Sequence, residues 1–356
     1  MSETLPEPDL RHLFALTDET GIFQHAVYAT PNRHTGYTTD DNARAALVAA
    51  RLWHRERDPR MLRCLQTYLS ALHGAWPAPG RRFRNFQAYD RSWVAEPGSD
   101  DCQGRVLWAL GYVASHPPSE AVRRFAAALW REAFPLIDTL EHPRGLALGI
   151  LGLHHHAEDA TALEAMGRLA AALDARFAAY GHFSDWPWFQ DKVSYDIGRL
   201  PQALLVAGRV LGAETLVARG LRVLEWLLEI QTAPAGHLSV IGNDGWLWRG
   251  GEQPRYDQQP LEAAALVAAC RAAIAATGDS VWGDEMQRSF EWYLGRNDHG
   301  LELVDPETGG CRDALVADGL NLNQGSESTL AWLEAWLEMQ EAREAGQLLS
   351  KRRSVR

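Results

Sequence analysis

The pattern of apolar and polar positions along the chain is helical almost throughout, and convincing alternating strands are scarce. Six stretches rich in Ala and Leu are apolar nearly all round, as expected of helices buried on both sides. They cover residues 42–53, 104–114, 144–154, 197–211, 261–276 and 328–339. Amphipathic segments lie between them, at residues 58–71, 119–137, 161–179, 214–230 and 279–294. With a short helix near residues 8–16, the pattern predicts twelve helices that alternate between an outer and an inner layer.

The inner stretches begin roughly 42 to 68 residues apart, which indicates a helical hairpin repeated six times. A single hairpin cannot bury both of its faces, so the repeat predicts a closed array. We therefore predict an all-α fold, the (α/α)6 toroid or six-hairpin barrel. The toroid is expected to form a single domain over residues 1–346, followed by a solvated or disordered basic tail at 347–356.

Long loops are predicted in front of four inner helices, and loops of this length are usually functional. They cover residues 78–100, 180–195, 232–256 and 295–324. In a toroid all four would lie at the rim where the inner helices begin.

Composition excludes several classes of protein. A net charge of −11 argues against nucleic acid or an anionic membrane surface as the main partner. No apolar run reaches transmembrane length, and the first residues do not have the pattern of a signal peptide, so we expect no membrane insertion. The four cysteines are isolated, which predicts neither a disulfide framework nor a zinc site. The expected compartment is the cytoplasm.

Acidic residues recur where the inner helices begin. Five of the six predicted starts carry a carboxylate at or within the first turn: Asp41, Asp101, Asp196, Asp257 and Glu327. One or two such acids would indicate only helix capping, which stabilises a helix by ~0.3–1 kcal/mol. Five around a common axis would repel one another, which favours a catalytic pocket. In the adjacent pairs Asp40–Asp41 and Asp100–Asp101, at most one member can face that pocket, and we favour the second.

Three arginines follow these acids at helical spacing. Arg44, Arg105 and Arg199 lie three or four residues after their aspartates, so each is predicted to be an intrahelical partner that keeps a carboxylate ionised. Asp257 has no such arginine, and Glu262 is expected to lie off that face of its helix.

Tryptophan is unusually frequent, with 14 residues. Flat aromatic faces in polar loops suit the C–H faces of sugar rings, although Trp also fills cores. The predicted loop tryptophans are Trp93, Trp186, Trp188, Trp246 and Trp248. We expect a carbohydrate substrate, with contacts drawn from His34, Asp40, Asn42, Asp90, Trp93, Trp186, Trp188, Arg199, Trp246, Gln258, Asp313, Asn323 and Gln324.

A set of motifs resembles a known family. The segments G-Y-T-T-D-D-N-A-R, Y-D-I-G-R-L-P-Q-A-L, Y-D-Q-Q-P-L-E-A and N-Q-G-S-E-S-T-L resemble a bacterial glycosidase-like family of (α/α)6 toroids, found alone or fused to glycosyltransferase domains in carbohydrate loci. The resemblance spans Gly36 to Leu333. It implies a six-hairpin toroid and a possible functional partnership with a glycosyltransferase. It does not specify a substrate or a catalytic pair.

These inferences predict a glycoside hydrolase acting on a bacterial glycan or oligosaccharide. Such an enzyme needs one carboxylic acid to protonate the leaving oxygen and a second carboxylate to activate water or attack the anomeric carbon. We predict Asp196 as the acid, with Asp101 as second choice, and Glu327 as the base. Inversion is the expected outcome, with carboxyl groups ~6.5–9.5 Å apart, whereas retention requires ~5–5.5 Å.

Other functions stay open on the same toroid. A sugar epimerase or isomerase would need pocket histidines for proton transfer, which only the loop histidines could supply, and a phosphorylase would need a basic phosphate site. A non-catalytic glycan-binding module would keep the tryptophan platforms. No cofactor is predicted, and no metal, because the run His154–His156 has no acid or Cys at ligand spacing. The oligomeric state is not predicted.

Overall fold

A computed structural model describes residues 5–77 and 80–348, and most of the predicted basic tail lies outside the described residues. Six helices form an inner ring. They are α2 (Thr39–Glu56), α4 (Asp100–Ser115), α6 (Pro143–His154), α8 (Arg199–Leu211), α10 (Pro260–Thr277) and α12 (Ser326–Glu344). Each packs against the next, and α12 packs against α2, which closes the ring.

The remaining helices form an outer layer. They are α1 (Arg11–Ala15), α3 (Pro59–Ala75), α5 (Glu120–Ala133), α7 (Ala160–Tyr180), α9 (Glu214–Ile230) and α11 (Val281–Glu291). The last five each pack on the inner helix that precedes them, and α1 packs on α12. The fold is the predicted (α/α)6 toroid.

Local sequence explains where the inner helices begin and how closely they pack. Thr38 caps α2, because its side-chain oxygen accepts a hydrogen bond from the backbone N–H of Asp41. Gly111 of α4 packs so closely on α6 that a Cβ there would lie 2.4 Å from the carbonyl oxygen of Gly152. By length and composition α10 alone among the described helices could cross a membrane, and 72% of it is buried inside the protein. Burial on all sides is what the inner ring requires of an apolar helix.

Short antiparallel strand pairs tie the long loops together. The strands are β1 (Ala26–Val27), β2 (Thr30–Pro31), β3 (Tyr37–Thr38), β4 (Phe86–Gln87), β5 (Lys192–Val193), β6 (Leu247–Trp248), β7 (Ala314–Val316) and β8 (Gly319–Asn321). Each odd-numbered strand pairs with the next. The pairs β3–β4 and β5–β6 join segments far apart in sequence. β3 lies immediately before α2, and β5 ends six residues before α8 begins. These pairs therefore fix the loops around the end of the ring where the inner helices begin, which we call the N-terminal mouth.

Side chains fill the ring at about half its height. Leu47, Trp108, Leu148 and Leu151 form a small buried apolar cluster from α2, α4 and α6. The guanidinium of Arg199 lies 4.8 Å from the ring centroid of Trp108. This layer separates the N-terminal mouth from the opposite end of the ring, which we call the C-terminal mouth.

Candidate active site

Four side chains meet at the N-terminal mouth: Asp41, Arg44, Tyr195 and Glu327, here called the Arg44 cluster. Nη1 of Arg44 donates to Oδ1 of Asp41 at 2.8 Å, and Nη2 lies 3.0 Å from Oε2 of Glu327. The Tyr195 hydroxyl accepts a hydrogen bond from Nη2 and donates one to Oε2 of Glu327, each at 2.5 Å. One guanidinium therefore holds carboxyl groups from α2 and α12, with their nearest oxygens within about 8 Å of each other.

Asp41 is the more enclosed of the two acids, with 4% of its surface exposed. The Thr38 hydroxyl donates to its Oδ2 at 2.6 Å. Burial and the negative charges of Asp40 and Glu327 raise the pKa of Asp41 to about 7, against the opposing effect of Arg44. A carboxyl group that still binds a proton near neutral pH is suited to act as a general acid.

Glu327 is the more open acid, with 30% of its side chain exposed. It lies in the first turn of α12. Oδ1 of Asp313 accepts hydrogen bonds from the backbone N–H of Gly325 at 2.7 Å and from the hydroxyl of Ser328 at 2.8 Å. Asp313 thus anchors the start of α12, which sets the position of Glu327, and burial raises the pKa of Asp313.

A left-handed turn positions Tyr195. The φ angles of Tyr195 and Asp196 are 52° and 55°, a conformation that costs a non-glycine residue about 1–3 kcal/mol. The carboxyl oxygens of Glu262 hold the turn by accepting the N–H groups of Asp196 at 2.6 Å and Ile197 at 2.9 Å. The guanidinium carbons of Arg105 and Arg144 lie 5.7 and 5.4 Å from the centroid of the Tyr195 ring. Strain of this kind clusters at functional sites.

Asp196 does not have the properties predicted for the general acid. It is fully buried, and its oxygens accept hydrogen bonds from Arg105 at 2.7 Å and Arg199 at 3.1 Å. Burial alone would raise its pKa, but Arg199, Arg105 and Arg44 outweigh that effect and lower the pKa to about 2. An enclosed and ionised carboxylate cannot deliver a proton to a substrate. Its role is to support the turn that carries Tyr195.

The predicted intrahelical pairs are partly correct. Arg44 pairs with Asp41 within α2. Arg199 pairs with Asp196, but Asp196 lies in the left-handed turn three residues before α8 begins, so this pair is not intrahelical. Arg105 instead crosses the ring to Asp196.

The adjacent acids of α4 diverge, as helical geometry requires. Asp101 takes its arginine from α6, with Nε of Arg144 at 2.7 Å. Asp100 accepts the backbone N–H groups of Glu141 and His142 at 2.8 and 2.9 Å, so it joins α4 to the start of α6.

The expected first-turn acid of α10 was assigned to the wrong residue. Asp257 is half-buried and lies three residues before α10 begins, whereas Glu262 lies in the first turn. Glu262 is fully buried. Burial and Asp196 raise the pKa of Glu262 to about 8, while its two backbone donors oppose the shift.

Three side chains predicted to bind substrate are instead occupied within the protein. Gln258 donates a hydrogen bond to Asp298 at 2.8 Å and accepts one from the Trp292 indole at 3.0 Å. Gln324 donates to Asp305 at 2.9 Å and accepts from Thr308 at 2.6 Å. Asn42 donates to the Thr38 carbonyl at 2.7 Å and accepts from the Ile22 N–H at 3.1 Å. All three are buried. Their amide groups hold loops and helix starts in place, which explains why they do not face solvent.

Arg199 was also predicted to bind substrate, and burial contradicts this. It is 2% exposed and donates to Glu334 at 2.7 Å and Gln202 at 3.0 Å, besides its pair with Asp196. Its guanidinium is therefore fully used inside the ring.

The tryptophan platforms need a similar correction. Trp186 and Trp188 are buried, and their indole N–H groups donate to the backbone carbonyls of Gln190 and Lys192. They belong to the core beneath the loop. Trp248 is 53% exposed, and its pairing in β5–β6 places it opposite Lys192, three residues before Tyr195. It is the loop tryptophan best placed to meet a ligand.

The other predicted contacts occupy varied positions. His34 and Asp90 are exposed in loops, Trp93 and Trp246 are half-buried against the core, and Asp40 is half-buried in the first turn of α2. Oδ1 of Asn323 accepts the N–H of Tyr28 at 2.9 Å, so this amide serves loop structure. Over the described residues, no group of three or more His, Cys, Asp or Glu is placed to hold a metal ion.

Comparison by sequence finds no matching family model and no similar curated protein. Solved structures match over nearly the whole chain. Cellobiose 2-epimerase from Bacillus thermoamylovorans has 11% identity and a TM-score of 0.72 over 95% of this chain and 96% of that one. The corresponding enzyme from Spirochaeta thermophila has 14% identity and a TM-score of 0.69 over 91% of each chain.

Glycoside hydrolases also match. An inactive variant of the α-1,6-mannanase from Salegentibacter sp., in which two consecutive aspartates are replaced by alanine, was solved with α-1,6-mannotetrose. It has 12% identity and a TM-score of 0.61 over 92% of this chain and 95% of that one. At these identities the likeness establishes the fold. The chain is an (α/α)6 toroid similar to those of sugar epimerases and mannanases.

Proposed function

We propose that the protein is a glycoside hydrolase in which Asp41 is the general acid and Glu327 the base or nucleophile. The observation that carries this proposal is the Arg44 guanidinium, which holds two carboxyl groups in unlike surroundings. Asp41 is buried with a pKa raised to about 7, whereas Glu327 is open to the mouth. Two carboxyl groups with separate environments can divide the acid and base steps of glycosidic cleavage.

The comparisons support a hydrolase of this kind. The mannanase variant with two consecutive aspartates replaced is inactive. This chain carries consecutive aspartates at the starts of α2 and α4, namely Asp40–Asp41 and Asp100–Asp101. In the first pair, Asp41 is a member of the Arg44 cluster, and the adjacent Asp40 raises the pKa of Asp41.

A sugar epimerase is the second candidate. It is favoured by the TM-scores of the epimerases, which are higher than that of the mannanase, and by the position of the His142 imidazole. Nδ1 of His142 lies 3.7 Å from Oδ1 of Asp101, beside Arg144. Burial and Arg144 lower the pKa of His142, so the imidazole is neutral at physiological pH and could accept a proton from carbon. It is the histidine closest to the predicted acids, although it was not among those predicted.

An assay in D2O separates the two reactions. The wild-type protein is incubated with a panel of aryl glycosides, cellobiose, and α- and β-linked manno-oligosaccharides, and the products are followed by NMR. Hydrolysis releases a new reducing end, and the first anomer formed gives inversion or retention. Epimerisation leaves the chain length unchanged and introduces deuterium next to the anomeric carbon. Deuterium exchange without cleavage would overturn the hydrolase proposal.

Replacing Asp40 by Asn should move the alkaline limb of the activity profile to lower pH. A general acid works only when protonated, so activity should fall as the pH rises through the pKa of Asp41. Removal of the neighbouring negative charge lowers that pKa and makes the decline begin earlier. The measurement is kcat/KM against pH, with Glu229→Gln as the control because Glu229 is exposed on the outer helix α9. A limb that stays in place would contradict the role of Asp41.

The biological setting is also part of this proposal. We infer a bacterial glycan as substrate, action in the cytoplasm, and work beside a glycosyltransferase, as the family resemblance implies. Fractionation of native cells and co-purification with the full chain would test both points.

A further inference from the structure

The C-terminal mouth contains a cavity that the proposed reaction does not use. Its volume is about 970 Å³, near the upper end of the roughly 300–1,000 Å³ typical of ligand pockets. All six inner helices line it, and Leu47, Trp108 and Leu151 contribute apolar side chains from the layer at half height. None of the four residues of the Arg44 cluster lines this cavity, and Arg199 packs on Trp108 within the ring, so the cavity is separate from that cluster.

One wall of the cavity is a closed network of charges. Arg51 lies 2.8 Å from Glu338 and 2.9 Å from Glu341, and Arg271 lies 2.8 and 2.5 Å from the same two residues. Two positive and two negative groups therefore cancel. Arg51 is the most enclosed, with 5% of its side chain exposed. This wall offers many hydrogen-bonding atoms and no excess charge with which to attract an anion. Arg209, Glu158 and Asp159 also line the cavity, so its lining as a whole carries three positive and four negative side chains.

The facing wall is made of aromatic and imidazole rings. Burial lowers the pKa of His154 to about 4 and that of His155 well below its ordinary value, so both imidazoles are neutral at physiological pH. The rings of Tyr112 and His116 are stacked at 4.6 Å between centroids. Flat rings and neutral imidazoles present apolar faces together with single donors and acceptors.

Besides Nη2 of Arg51, which has an ion-pair partner in Glu338, two buried polar atoms in the lining residues have no hydrogen-bond partner. They are Nδ1 of His154 and Oε1 of Gln347. Buried polar atoms are normally paired, and leaving one unpaired costs about 1–3 kcal/mol. A ligand with hydroxyl groups could satisfy both atoms, since a hydroxyl donates as well as accepts.

We propose that the C-terminal mouth binds a neutral saccharide of one or two rings at a site distinct from the Arg44 cluster. The cavity combines an apolar floor for C–H faces, ring walls and a balanced Arg–Glu network for hydroxyl groups. A phosphorylated or acidic ligand would find no spare positive charge in that network. Because every inner helix lines the cavity, a saccharide bound there should also stabilise the ring against unfolding.

The test is binding of neutral mono- and disaccharides, measured by saturation-transfer NMR and calorimetry on the full chain. Ala272 lines the cavity, so Ala272→Trp fills it without removing a polar contact. Ala128 is exposed on α5, which makes Ala128→Trp the matched control. Ala272→Trp should weaken binding at least tenfold, while Ala128→Trp and Glu327→Gln leave it unchanged. His154→Ala removes the unpaired Nδ1 atom and should also weaken binding. This variant provides the test if Ala272→Trp does not fold.

Three results would overturn the proposal. They are no neutral sugar bound by the wild type, binding indifferent to both Ala272→Trp and His154→Ala, and binding abolished by Glu327→Gln. The last result would assign the sugar to the N-terminal mouth. Failure of hydrolysis alone does not touch this proposal, because the two sites are separate.

Discussion

Glu327→Gln should lower the turnover of a cleaved glycan by about 10²–10⁴-fold, the usual contribution of an acid or base group. Glutamine keeps the size of the side chain and can still accept the Tyr195 hydroxyl hydrogen bond. It cannot take a proton from water or attack the anomeric carbon. Because Glu327 is partly exposed and Arg44 keeps its pair with Asp41, the free energy of unfolding should change by no more than about 1 kcal/mol.

Steady-state kinetics with product NMR and urea unfolding measure both quantities. Asp41→Asn should give a loss of similar size, and the double variant should lose little more than either single one, because the two groups act as a unit. Glu229→Gln, at an exposed position of the outer helix α9, is the matched carboxylate control and should keep the wild-type rate. A Glu327→Gln protein that retains turnover within about threefold would exclude Glu327 as the base. Loss of binding with unchanged kcat would assign it to substrate binding.

The ring itself was predictable from the sequence for a physical reason. Helices enclosed on both sides must be apolar nearly all round, and helices facing solvent must keep a polar face. The alternation of these two patterns gave the order of inner and outer helices that the structure has. The first-turn positions of Asp41 and Glu327 followed from the same pattern, because the start of each inner helix is where its apolar run begins.

Contacts between distant segments were not predictable. Tyr195 precedes Asp196, and in a helix these neighbours would point in different directions, but the left-handed turn brings Tyr195 to Arg44 and Glu327. Glu262 was predicted only to lie off the helical face of Asp257, because periodicity alone does not show that its carboxyl group holds the turn. Long-range hydrogen bonds of this kind leave no periodic pattern.

Burial of polar and aromatic side chains in loops was equally hidden. Gln258 and Trp188 stand in polar stretches, where composition suggests exposure. In the folded protein the loops bury some of their own side chains, and Gln258 and Trp188 are both buried and hydrogen-bonded there. Trp248 is two residues from Trp246 and yet is the more exposed, since its position in β6 turns its ring outward beside Lys192.

Asp196→Asn should destabilise the protein by about 3–5 kcal/mol, the cost of removing one partner from a buried ion pair. Arg105 and Arg199 are 2% exposed and both donate to this carboxylate, so the neutral amide leaves two buried guanidinium groups short of a negative charge. Turnover should fall as well, because Asp196 supports the turn that carries Tyr195. Unlike Glu327→Gln, this variant should lose activity together with stability.

The pH dependence of unfolding tests the same ion pairs by a second route. The pKa of Asp196 is about 2 in the folded protein, against about 3.9 for an unfolded chain. A lowered pKa contributes stability above the unfolded value, here about 2.5 kcal/mol, and this is lost as the pH falls from about 4 towards 2. Urea unfolding at stepped pH should therefore show a smaller acid-induced loss for Asp196→Asn than for the wild type. Asp101→Asn, at a partly exposed pair with Arg144, is the control and should cost much less at neutral pH. Equal losses in the two variants would mean that burial of the Asp196 pairs adds nothing to stability.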